Sequence, residues 1–370
     1  MNAYLHIPFC TSICSYCDFT SFAGQESKIT AYVEALCIEI SNSSLAGPLR
    51  TVYFGGGTPS LLPPDQLGKI LRSLQSKAGF DPEIEISMEA NPETVDLERL
   101  KSYRSLGVNR LSFGAQAFQK EILRKMGRGH EWDRVEKAYS DARQAGFENI
   151  NLDLMFGLAE QTLEMFEISI QKTLSLKPDH LSLYALQVEE GTPLAKQVKE
   201  GLVLPTEDEV ADEYALAQAA LSQNGFEQYE VSNFAVPGKS CRHNWNIWRG
   251  EDYWGFGVGA VGTVQGVRHS HGEDLTEYIR QFKKGQGDTI QLENLSPSIQ
   301  AFEKLMLGLR THQGVSKKEL EQYATTNQVS FQAKFDLFEK KGFLSFASNH
   351  YKVTPKGYFV LNGLLEALVA

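Results

Sequence analysis

The stretch His6–Phe19, with the sequence HIPFCTSICSYCDF, decides how the rest of the chain is interpreted. It holds three of the five cysteines of the 370-residue chain, spaced C-x3-C-x2-C. Five cysteines in a chain of this length do not form a disulfide framework, and a short run of thiols is more typical of a metal site. Cys10, Cys14 and Cys17 are therefore predicted to be metal ligands.

Three cysteine ligands from one loop could hold either a zinc ion or an iron–sulfur cluster, and they fit the cluster better. Structural zinc prefers four ligands, usually as two separated pairs, and the second pair would have to be replaced by His6 from the predicted first strand. A [4Fe–4S] cluster also takes four ligands, so three cysteines leave one iron open to a molecule that is not protein. The sequence favours the cluster, with zinc as the alternative.

Outward from this stretch, β-rich runs alternate with amphipathic helical segments. Six strands, each followed by a helix, predict a parallel α/β sheet that is either open or curled into a partial barrel. In such sheets ligands bind at the carboxyl ends of the strands. The predicted strands are Ala3–Ile7, Thr51–Phe54, Glu83–Glu89, Asn109–Ala115, Asn149–Met155 and Asp179–Ala185, and the predicted helices are Lys28–Ser41, Pro64–Lys77, Asp96–Leu106, Glu131–Ala145, Leu163–Leu176 and Thr206–Asn224.

The regular alternation ends near residue 230, which divides the chain into a barrel domain over 1–230 and two further parts. Residues 231–296 are predicted to connect the domains, and the Gly-, Trp- and His-rich part up to Gly272 is predicted to be loop with short strands. Residues 297–370 predict helices and two short strands joined by a turn at Ser348–Asn349, in a winged-helix-like unit. This unit is only mildly basic, so a packing role is favoured over nucleic-acid binding.

Charge and hydropathy argue against several kinds of partner and location. The formal net charge of −10 gives no overall attraction to nucleic acid or anionic lipid. No apolar run approaches the roughly 18 residues of a membrane span. A basic segment followed by an apolar stretch is not seen at the N-terminus, so no signal peptide and a cytoplasmic location are expected.

Glycines and polar residues fall where the predicted strands end. The sequence VYFGGGTPS follows the second strand, and Gly55–Gly57 would let the backbone approach a ligand closely because no Cβ intervenes. Glu89, Gln116 and Asp153 end later strands, and Arg128 offers a planar guanidinium suited to a carboxylate. Together these positions predict a ligand site beside the cysteines.

The C-x3-C-x2-C motif after a first strand resembles that of the radical S-adenosylmethionine (SAM) enzymes, whose open iron is chelated by the amino and carboxylate groups of SAM. With GGGTPS, EANPE, RLSFGAQ, GRGH and DLMFGL, the chain is similar to oxygen-independent coproporphyrinogen III oxidase and its relatives over nearly its whole length. The resemblance implies a partial (β/α)6 radical-SAM barrel with a C-terminal helical, winged-helix-like domain. It also implies SAM contacts from Tyr4, Tyr16, Gly56, Gly57, Thr58, Glu89, Gln116, Arg128 and Asp153, with Tyr16 near the adenine.

Two departures separate the chain from the oxidase itself. Phe19 stands where the oxidase has a further cysteine, and the first strand begins at residue 3 without the oxidase's N-terminal extension. Both departures resemble the sister group, the HemW-type haem chaperones. Oxidase activity is therefore not expected, although oxidative decarboxylation of coproporphyrinogen III is the alternative function. A zinc-bearing binding module with a winged helix is a third interpretation.

The haem chaperone group carries an H-N-x-x-Y-W motif, which the sequence HNWNIW matches at His243, Asn244 and Trp248, while Ile247 replaces the tyrosine. The resemblance implies haem as a ligand, with His243 as an axial donor, a haem-acceptor protein, and a reducing partner such as flavodoxin or ferredoxin. A hydrogen-bonded loop histidine is the alternative for His243.

Four other residues that could bind metal are given structural roles. Cys37 and Cys241 are predicted to be buried thiols, and His269 and His271 are predicted to be solvated loop residues.

Overall fold

The computed structural model of the chain describes residues 1–285, 290–327 and 331–369; positions 286–289, 328–330 and 370 of the predicted connecting region and C-terminal unit lie outside the described residues. The strands are β1 (Asn2–Ile7), β2 (Phe9–Cys10), β3 (Phe22–Ala23), β4 (Leu49–Gly56), β5 (Phe80–Ala90), β6 (Arg110–Gln116), β7 (Ile150–Phe156), β8 (His180–Ala185), β9 (Glu227–Gln228), β10 (Asn233–Ala235), β11 (Tyr253–Phe256), β12 (Val261–Val264), β13 (Val267–His271), β14 (Ile290–Asn294), β15 (Val315–Ser316), β16 (Leu344–Ala347) and β17 (His350–Val353).

The helices pack around these strands. They are α1 (Ile29–Asn42), α2 (Pro64–Ala78), α3 (Leu97–Ser105), α4 (Lys120–Lys125), α5 (Trp132–Gln144), α6 (Leu163–Ser175), α7 (Pro193–Lys199), α8 (Glu207–Gln223), α9 (Arg242–Trp248), α10 (Leu275–Lys283), α11 (Pro297–Leu309), α12 (Lys317–Asn327), α13 (Gln332–Lys340), α14 (Pro355–Tyr358) and α15 (Leu361–Val369). Short 3₁₀ turns lie at Glu26–Lys28, Pro59–Leu61 and Pro92–Thr94.

The main sheet has the strand order β14-β13-β12-β11-β1-β4-β5-β6-β7-β8-β10-β9. Strands β1, β4, β5, β6, β7 and β8 are parallel neighbours, and β11 adds a further parallel strand beside β1. The prediction of six parallel strands in a partial (β/α)6 barrel is confirmed. All six predicted strands and all six predicted helices are present.

Burial follows the sequence pattern. Every residue of β6 is buried, as expected for a parallel strand covered on both faces. In α5 the buried face includes Val135, Ala138, Tyr139 and Ala142, which recur at helical spacing. The apolar core therefore lies between the sheet and its surrounding helices, and the strand ends are left to carry polar groups.

The prediction of a loop with short strands up to Gly272 is confirmed for the strands β10–β13, but it missed the helix α9. Helix α9 has seven residues, too few for a periodic pattern to be recognised. Its N-terminus is stabilised from a distant strand: the Glu85 carboxylate accepts hydrogen bonds from the backbone N–H groups of Arg242 (2.9 Å) and His243 (3.0 Å). The short helices α4 and α7 were also not predicted.

The Gly- and His-rich composition of this region reflects close strand packing. A Cβ on Gly255 would clash with the carbonyl oxygen of Val261 on the neighbouring strand. The prediction that His269 and His271 are solvated is wrong, since both are buried in β13. His271 Nε2 lies 3.0 Å from a carboxylate oxygen of the buried Glu39, which supplies the polar partner that burial requires.

The C-terminal unit has its own apolar core and a three-stranded sheet in the order β15-β17-β16. Ser348 and Asn349 form the predicted hairpin turn, with positive φ angles of 51° and 64°. The unit is joined to the barrel by backbone hydrogen bonds, including His312 N–H to the Tyr229 carbonyl at 3.0 Å. Among the residues that the structure describes, every helix is too short or too polar to cross a bilayer.

Candidate cluster and cofactor site

The three cysteines lie together on the loop that follows β1. Cys10 is buried in β2, while Cys14 and Cys17 are partly buried, and all three are free thiols. A backbone hydrogen bond from Ser15 N–H to the Met126 carbonyl (3.0 Å) ties the loop to the end of α4. In the described ranges, no group of three or more His, Cys, Asp or Glu side chains is arranged to hold a single metal ion.

The electrostatics of the thiols suit a cationic partner. Burial raises the pKa of Cys10, and a hydrogen bond from Thr58 Oγ1 to Cys10 Sγ (3.6 Å) opposes it. Burial also raises the pKa of Cys17, and Cys14 and Cys10 contribute in the same direction. Neighbouring thiolates repel one another, so the charged form of this set is stabilised when iron binds. The donor set therefore fits a cluster.

His6 is engaged with protein partners instead of the cysteines. Its Nε2 donates to the Thr20 carbonyl oxygen (2.7 Å), which leaves Nδ1 to accept from Tyr4 Oη (3.1 Å). Burial lowers the pKa of His6, which favours this neutral form. In this arrangement both ring nitrogens are used, so His6 does not present a lone pair as a fourth ligand.

The glycine run brings the end of β4 directly against the cysteine loop. Gly57 N–H donates to the Ile7 carbonyl (2.9 Å), and a Cβ on Gly57 would lie 2.9 Å from Cys10 Sγ. Gly56 has φ 109°, and a Cβ there would lie 2.6 Å from the His6 ring. Glycine is therefore required at Gly57 for the backbone to pass beside the first cysteine, and at Gly56 for its positive φ and its approach to the His6 ring.

A chain of hydrogen bonds links the cysteine loop to the basic residue of the site. Asn91 Nδ2 donates to Thr58 Oγ1 (3.2 Å), the group that also contacts Cys10. Arg128 donates from Nη1 to Asn91 Oδ1 (2.8 Å) and from Nη2 to Tyr16 Oη (2.9 Å). Sequence reasoning missed Asn91, although it stands in the EANPE motif immediately after β5.

Two predicted ligand-binding residues retain unpartnered polar atoms. Arg128 Nε and Gln116 Oε1 are buried without a hydrogen-bond partner. Gln116 has φ 65° at an irregularity in the pairing of β6 with β7. A Cβ on Gly114 would lie 2.9 Å from Gln116 Nε2 and 3.5 Å from Arg128 Nη1. Such buried, unsatisfied groups fit a ligand that carries hydrogen-bonding and anionic groups.

The carboxylates of the site converge from neighbouring strand ends. Glu89 accepts hydrogen bonds from Tyr53 Oη (2.8 Å) and from Gly56 N–H (3.2 Å). Burial, with the added repulsion of Asp153, raises the pKa of Glu89 to about 7. Asp153 accepts from Asn151 Nδ2 (2.6 Å), and burial raises its pKa as well. This pair would favour an ammonium group or hydroxyl donors. The Tyr4 ring completes the set by stacking on Tyr53, with 6.3 Å between ring centroids.

His243 lies apart from this site, at the amino-terminal end of the barrel. Its side chain is buried, with 2% exposure, and Nδ1 lies 2.8 Å from Thr51 Oγ1. The ring stacks on Tyr53 with centroids 5.1 Å apart, and Nε2 is buried without a partner. Burial and nearby Arg110 lower the pKa of His243 to about 3. His243 therefore lies on a helix and not in a loop, and a ligand cannot reach its Nε2 in this arrangement.

The other two cysteines have structural surroundings. Cys241 is fully buried, with Sγ 3.6 Å from Glu85 Oε1, as predicted. Cys37 is only partly buried on α1, and burial raises the pKa of its thiol.

Comparison with known proteins identifies two families along the chain. Residues 4–172 match the Radical SAM superfamily, and residues 295–360 match the HemN C-terminal domain. The first match contains the cysteine loop and the strand ends described above.

Curated relatives match from end to end. The protein named Heme chaperone HemW of Bacillus subtilis is 36% identical over 377 residues, covering 100% of this chain and 99% of the relative. The proteins of the same name from Synechocystis and Escherichia coli are 39% and 33% identical, each covering 100% of this chain and 96% or 98% of the relative.

A solved structure has the same fold over nearly the whole chain. The coproporphyrinogen III oxidase HemN from Escherichia coli, described as a radical SAM enzyme, superposes with a TM-score of 0.84 at 24% identity. The alignment covers 99% of this chain and 89% of the oxidase.

Proposed function

Because the chain belongs to the heme chaperone HemW family, we propose that it binds haem, a [4Fe–4S] cluster and SAM, and delivers haem to an acceptor protein. The observation that carries this proposal is the three-cysteine loop held against the Gly57 backbone. It occurs in a chain that aligns end to end with proteins named as haem chaperones.

The residues of the site divide between the cluster and SAM. Cys10, Cys14 and Cys17 would each bind one iron, which leaves one iron for SAM. Arg128 would pair with the SAM carboxylate, since its Nε is buried and unpartnered. Glu89 would pair with the SAM ammonium group. The remaining contacts are assigned to Tyr4, Tyr16, Gly56, Gly57, Thr58, Gln116 and Asp153.

The proposal also assigns a role to the reducing partner and to Asn91, and a compartment to the protein. The bound cluster would supply single-electron chemistry when a reducing partner such as flavodoxin or ferredoxin provides the electron. Asn91 would orient both Thr58 and Arg128. It would thereby fix the position of the Arg128 guanidinium relative to the cysteine loop. The free thiols suit a reducing compartment, and we place the protein in the cytoplasm.

Coproporphyrinogen III oxidation is the alternative function, and one position argues against it. Phe19 occupies the position at which the resemblance expects the oxidase cysteine. Its side chain is 65% exposed on the cysteine loop. A phenyl ring there can neither ligate iron nor exchange a proton.

Haem ligation by His243 requires a change of structure in this proposal. The H-N-x-x-x-W pattern supports His243 as an axial donor, but its Nε2 is buried behind the barrel strands. Ligation of haem iron by His243 therefore requires α9 to move away from strand β4, against which the histidine packs. His243→Ala is expected to lose or shift the haem absorbance while keeping the cluster, because the two sites use different residues.

Anaerobic reconstitution followed by separate titrations with haem and SAM tests the function. We expect stoichiometric binding of both ligands and no conversion of coproporphyrinogen III. Vinyl products from coproporphyrinogen under reducing conditions with SAM, together with no haem uptake, would establish the oxidase alternative. Stoichiometric zinc without sulfide in anaerobically purified protein would establish the zinc-binding interpretation.

A further inference from the structure

Two segments of the chain, one after β5 and one after α4, meet beside the proposed SAM site. The first carries Asn91 and Glu93, and the second carries Arg128 and His130. Arg128 donates to Asn91 Oδ1 (2.8 Å), and His130 Nδ1 lies 3.3 Å from Glu93 Oε2. A basic side chain of one segment therefore contacts a polar side chain of the other at two places. The second contact lies outside the residues assigned to the cluster and SAM.

His130 is enclosed and has an oxygen at each ring nitrogen. Its side chain is fully buried, and Nε2 lies 3.4 Å from the carbonyl oxygen of Ala115 on β6. Nδ1 faces the Glu93 carboxylate at ion-pair distance, although without the alignment of a hydrogen bond. A lone pair on either nitrogen would be repelled by the oxygen that it faces, so a hydrogen on both nitrogens fits this arrangement. The ring is then a cation opposite an anion.

The Glu93 carboxylate lies close to both basic side chains. A Cβ on Gly129, the residue that separates Arg128 from His130, would lie 4.0 Å from Glu93 Oε1. Burial raises the pKa of Glu93, but the contact with His130 and the nearby charge of Arg128 outweigh burial and bring the pKa below its usual value. Glu93 is therefore an anion at neutral pH, and its charge acts on both bases.

The hydrogen bonds of Arg128 go to neutral groups. Nη1 donates to Asn91 Oδ1 and Nη2 donates to Tyr16 Oη, while Nε is buried without a partner. A nearby carboxylate is the partner that such a guanidinium would ordinarily take. The contact with His130 explains why the Glu93 carboxylate is not that partner.

We propose that the buried His130 imidazolium holds the Glu93 carboxylate away from Arg128 and thereby keeps the guanidinium available to the carboxylate of SAM. The inference rests on the proposed function, which supplies SAM as the ligand of Arg128. His130 and Glu93 are positioning residues, since both act through Arg128. Without His130, the uncompensated Glu93 carboxylate would pair with Arg128 and compete with the carboxylate of SAM.

Removing the histidine tests the proposal in the full-length, cluster-reconstituted protein. His130→Gln leaves Glu93 without its partner, and calorimetry should show SAM binding weakened roughly tenfold, the order of one charge-assisted contact. Iron and sulfide content should stay at the wild-type level, because no cluster ligand is changed. His350→Gln, which replaces a histidine on β17 of the C-terminal unit, is the matched control and should bind SAM normally.

A double variant separates competition by Glu93 from a loss of packing. Glu93→Gln removes the competing charge, so this single variant should bind SAM at least as tightly as the wild type does. Adding Glu93→Gln to His130→Gln should restore SAM affinity to within about threefold of the wild type. Decarboxylated SAM gives a second readout. His130→Gln should bind it as the wild type does, because this ligand lacks the carboxylate with which Glu93 competes.

The outcomes separate this proposal from the proposed function. If the reconstituted wild-type protein binds no SAM, the proposed function itself fails. If the wild type binds SAM and His130→Gln binds it equally well, only the role of His130 is overturned. The same loss in the double variant, or an equal loss for decarboxylated SAM, would also overturn that role, because either result indicates a packing defect. Should His130→Gln take up no cluster, Glu93→Gln alone decides, and weaker SAM binding in that variant overturns the proposal.

Discussion

The two ends of the barrel both carry polar side chains, but they are organised in opposite ways. At the carboxyl end, the cysteine loop, Asn91 and Arg128 form a connected set whose outer groups, Arg128 Nε and Gln116 Oε1, have no protein partner. At the amino end, α9 closes the barrel and His243 is buried against Thr51. Both ends hold buried polar atoms without a partner, but those of the carboxyl end lie beside the cysteine loop, while His243 Nε2 at the amino end is enclosed under the helix that Glu85 and Thr51 attach.

Tyr53 connects the two ends, because one side of its ring stacks on His243 while its hydroxyl donates to Glu89. The contrast shows that residue type alone does not identify a binding site. His243 and Arg128 both stand in sequence motifs and both keep a buried nitrogen without a partner, but only Arg128 is hydrogen-bonded to the cysteine loop and to Asn91. The following experiments test this contrast, beginning with the largest expected effect.

Replacing a cluster cysteine should have an all-or-none effect at the carboxyl end. Cys10→Ser, Cys14→Ser or Cys17→Ser is expected to remove the brown chromophore with its iron and sulfide, because three thiolates are the minimum that hold the cluster. Iron and sulfide analysis after anaerobic reconstitution measures the effect. Cys37→Ser, which changes a partly buried thiol on α1, should keep the full cluster content; retention of the cluster in all three loop variants would refute the assignment.

Removing the histidine of the amino end should reduce stability. His243→Ala deletes a buried ring that stacks on Tyr53 and contacts Thr51, so we expect the apoprotein to lose about 2–4 kcal/mol of unfolding free energy. Urea denaturation followed by circular dichroism measures the change. His350→Ala, on the hairpin of the C-terminal unit, should change stability by less than about 0.5 kcal/mol. An equally small change for His243→Ala would mean that the histidine does not hold α9 in place.

Removing the Arg128 side chain at the carboxyl end should weaken SAM binding. Arg128→Ala leaves the SAM carboxylate without its charged partner, which should cost about 1.5–3 kcal/mol, or roughly ten- to a hundredfold in affinity. Calorimetry on the reconstituted protein gives the value. Arg124→Ala, which removes an exposed arginine paired with Glu121 on α4, is the control and should bind SAM normally. Unchanged SAM affinity in both Arg128→Ala and Asp153→Ala would show that the site residues are assigned incorrectly.

The carboxyl end could be predicted from sequence because its information is local. Each strand end is followed immediately by its functional residue, as in the GGGTPS and EANPE segments, and parallel strands bring such segments to one edge. Asn91 was missed because its role, bridging Thr58 to Arg128, appears only when three separate loops meet.

The amino end could not be predicted because its contacts span most of the chain. Helix α9 depends on Glu85, which lies 157 residues earlier than Arg242. The burial of His271 depends likewise on Glu39, in a helix near the start of the chain. A sequence window cannot contain such pairs, so a region rich in Gly and His resembles a solvated loop until the partner strands are known.

The smallest effect concerns the pH dependence of SAM binding. Burial raises the pKa of Glu89 to about 7, so below that pH the free protein holds Glu89 protonated. An ammonium group bound beside Glu89 favours the carboxylate, so SAM binding should release a proton at acidic pH. The dissociation constant should then be flat above about pH 8 and rise by up to about tenfold per pH unit below 7. Glu89→Gln should bind SAM more weakly and lose this dependence, while Glu98→Gln, at an exposed position of α3, should retain it. Calorimetric titrations between pH 6 and pH 8.5 provide the measurement. An identical pH profile in wild type and Glu89→Gln would mean that Glu89 does not face the SAM ammonium group.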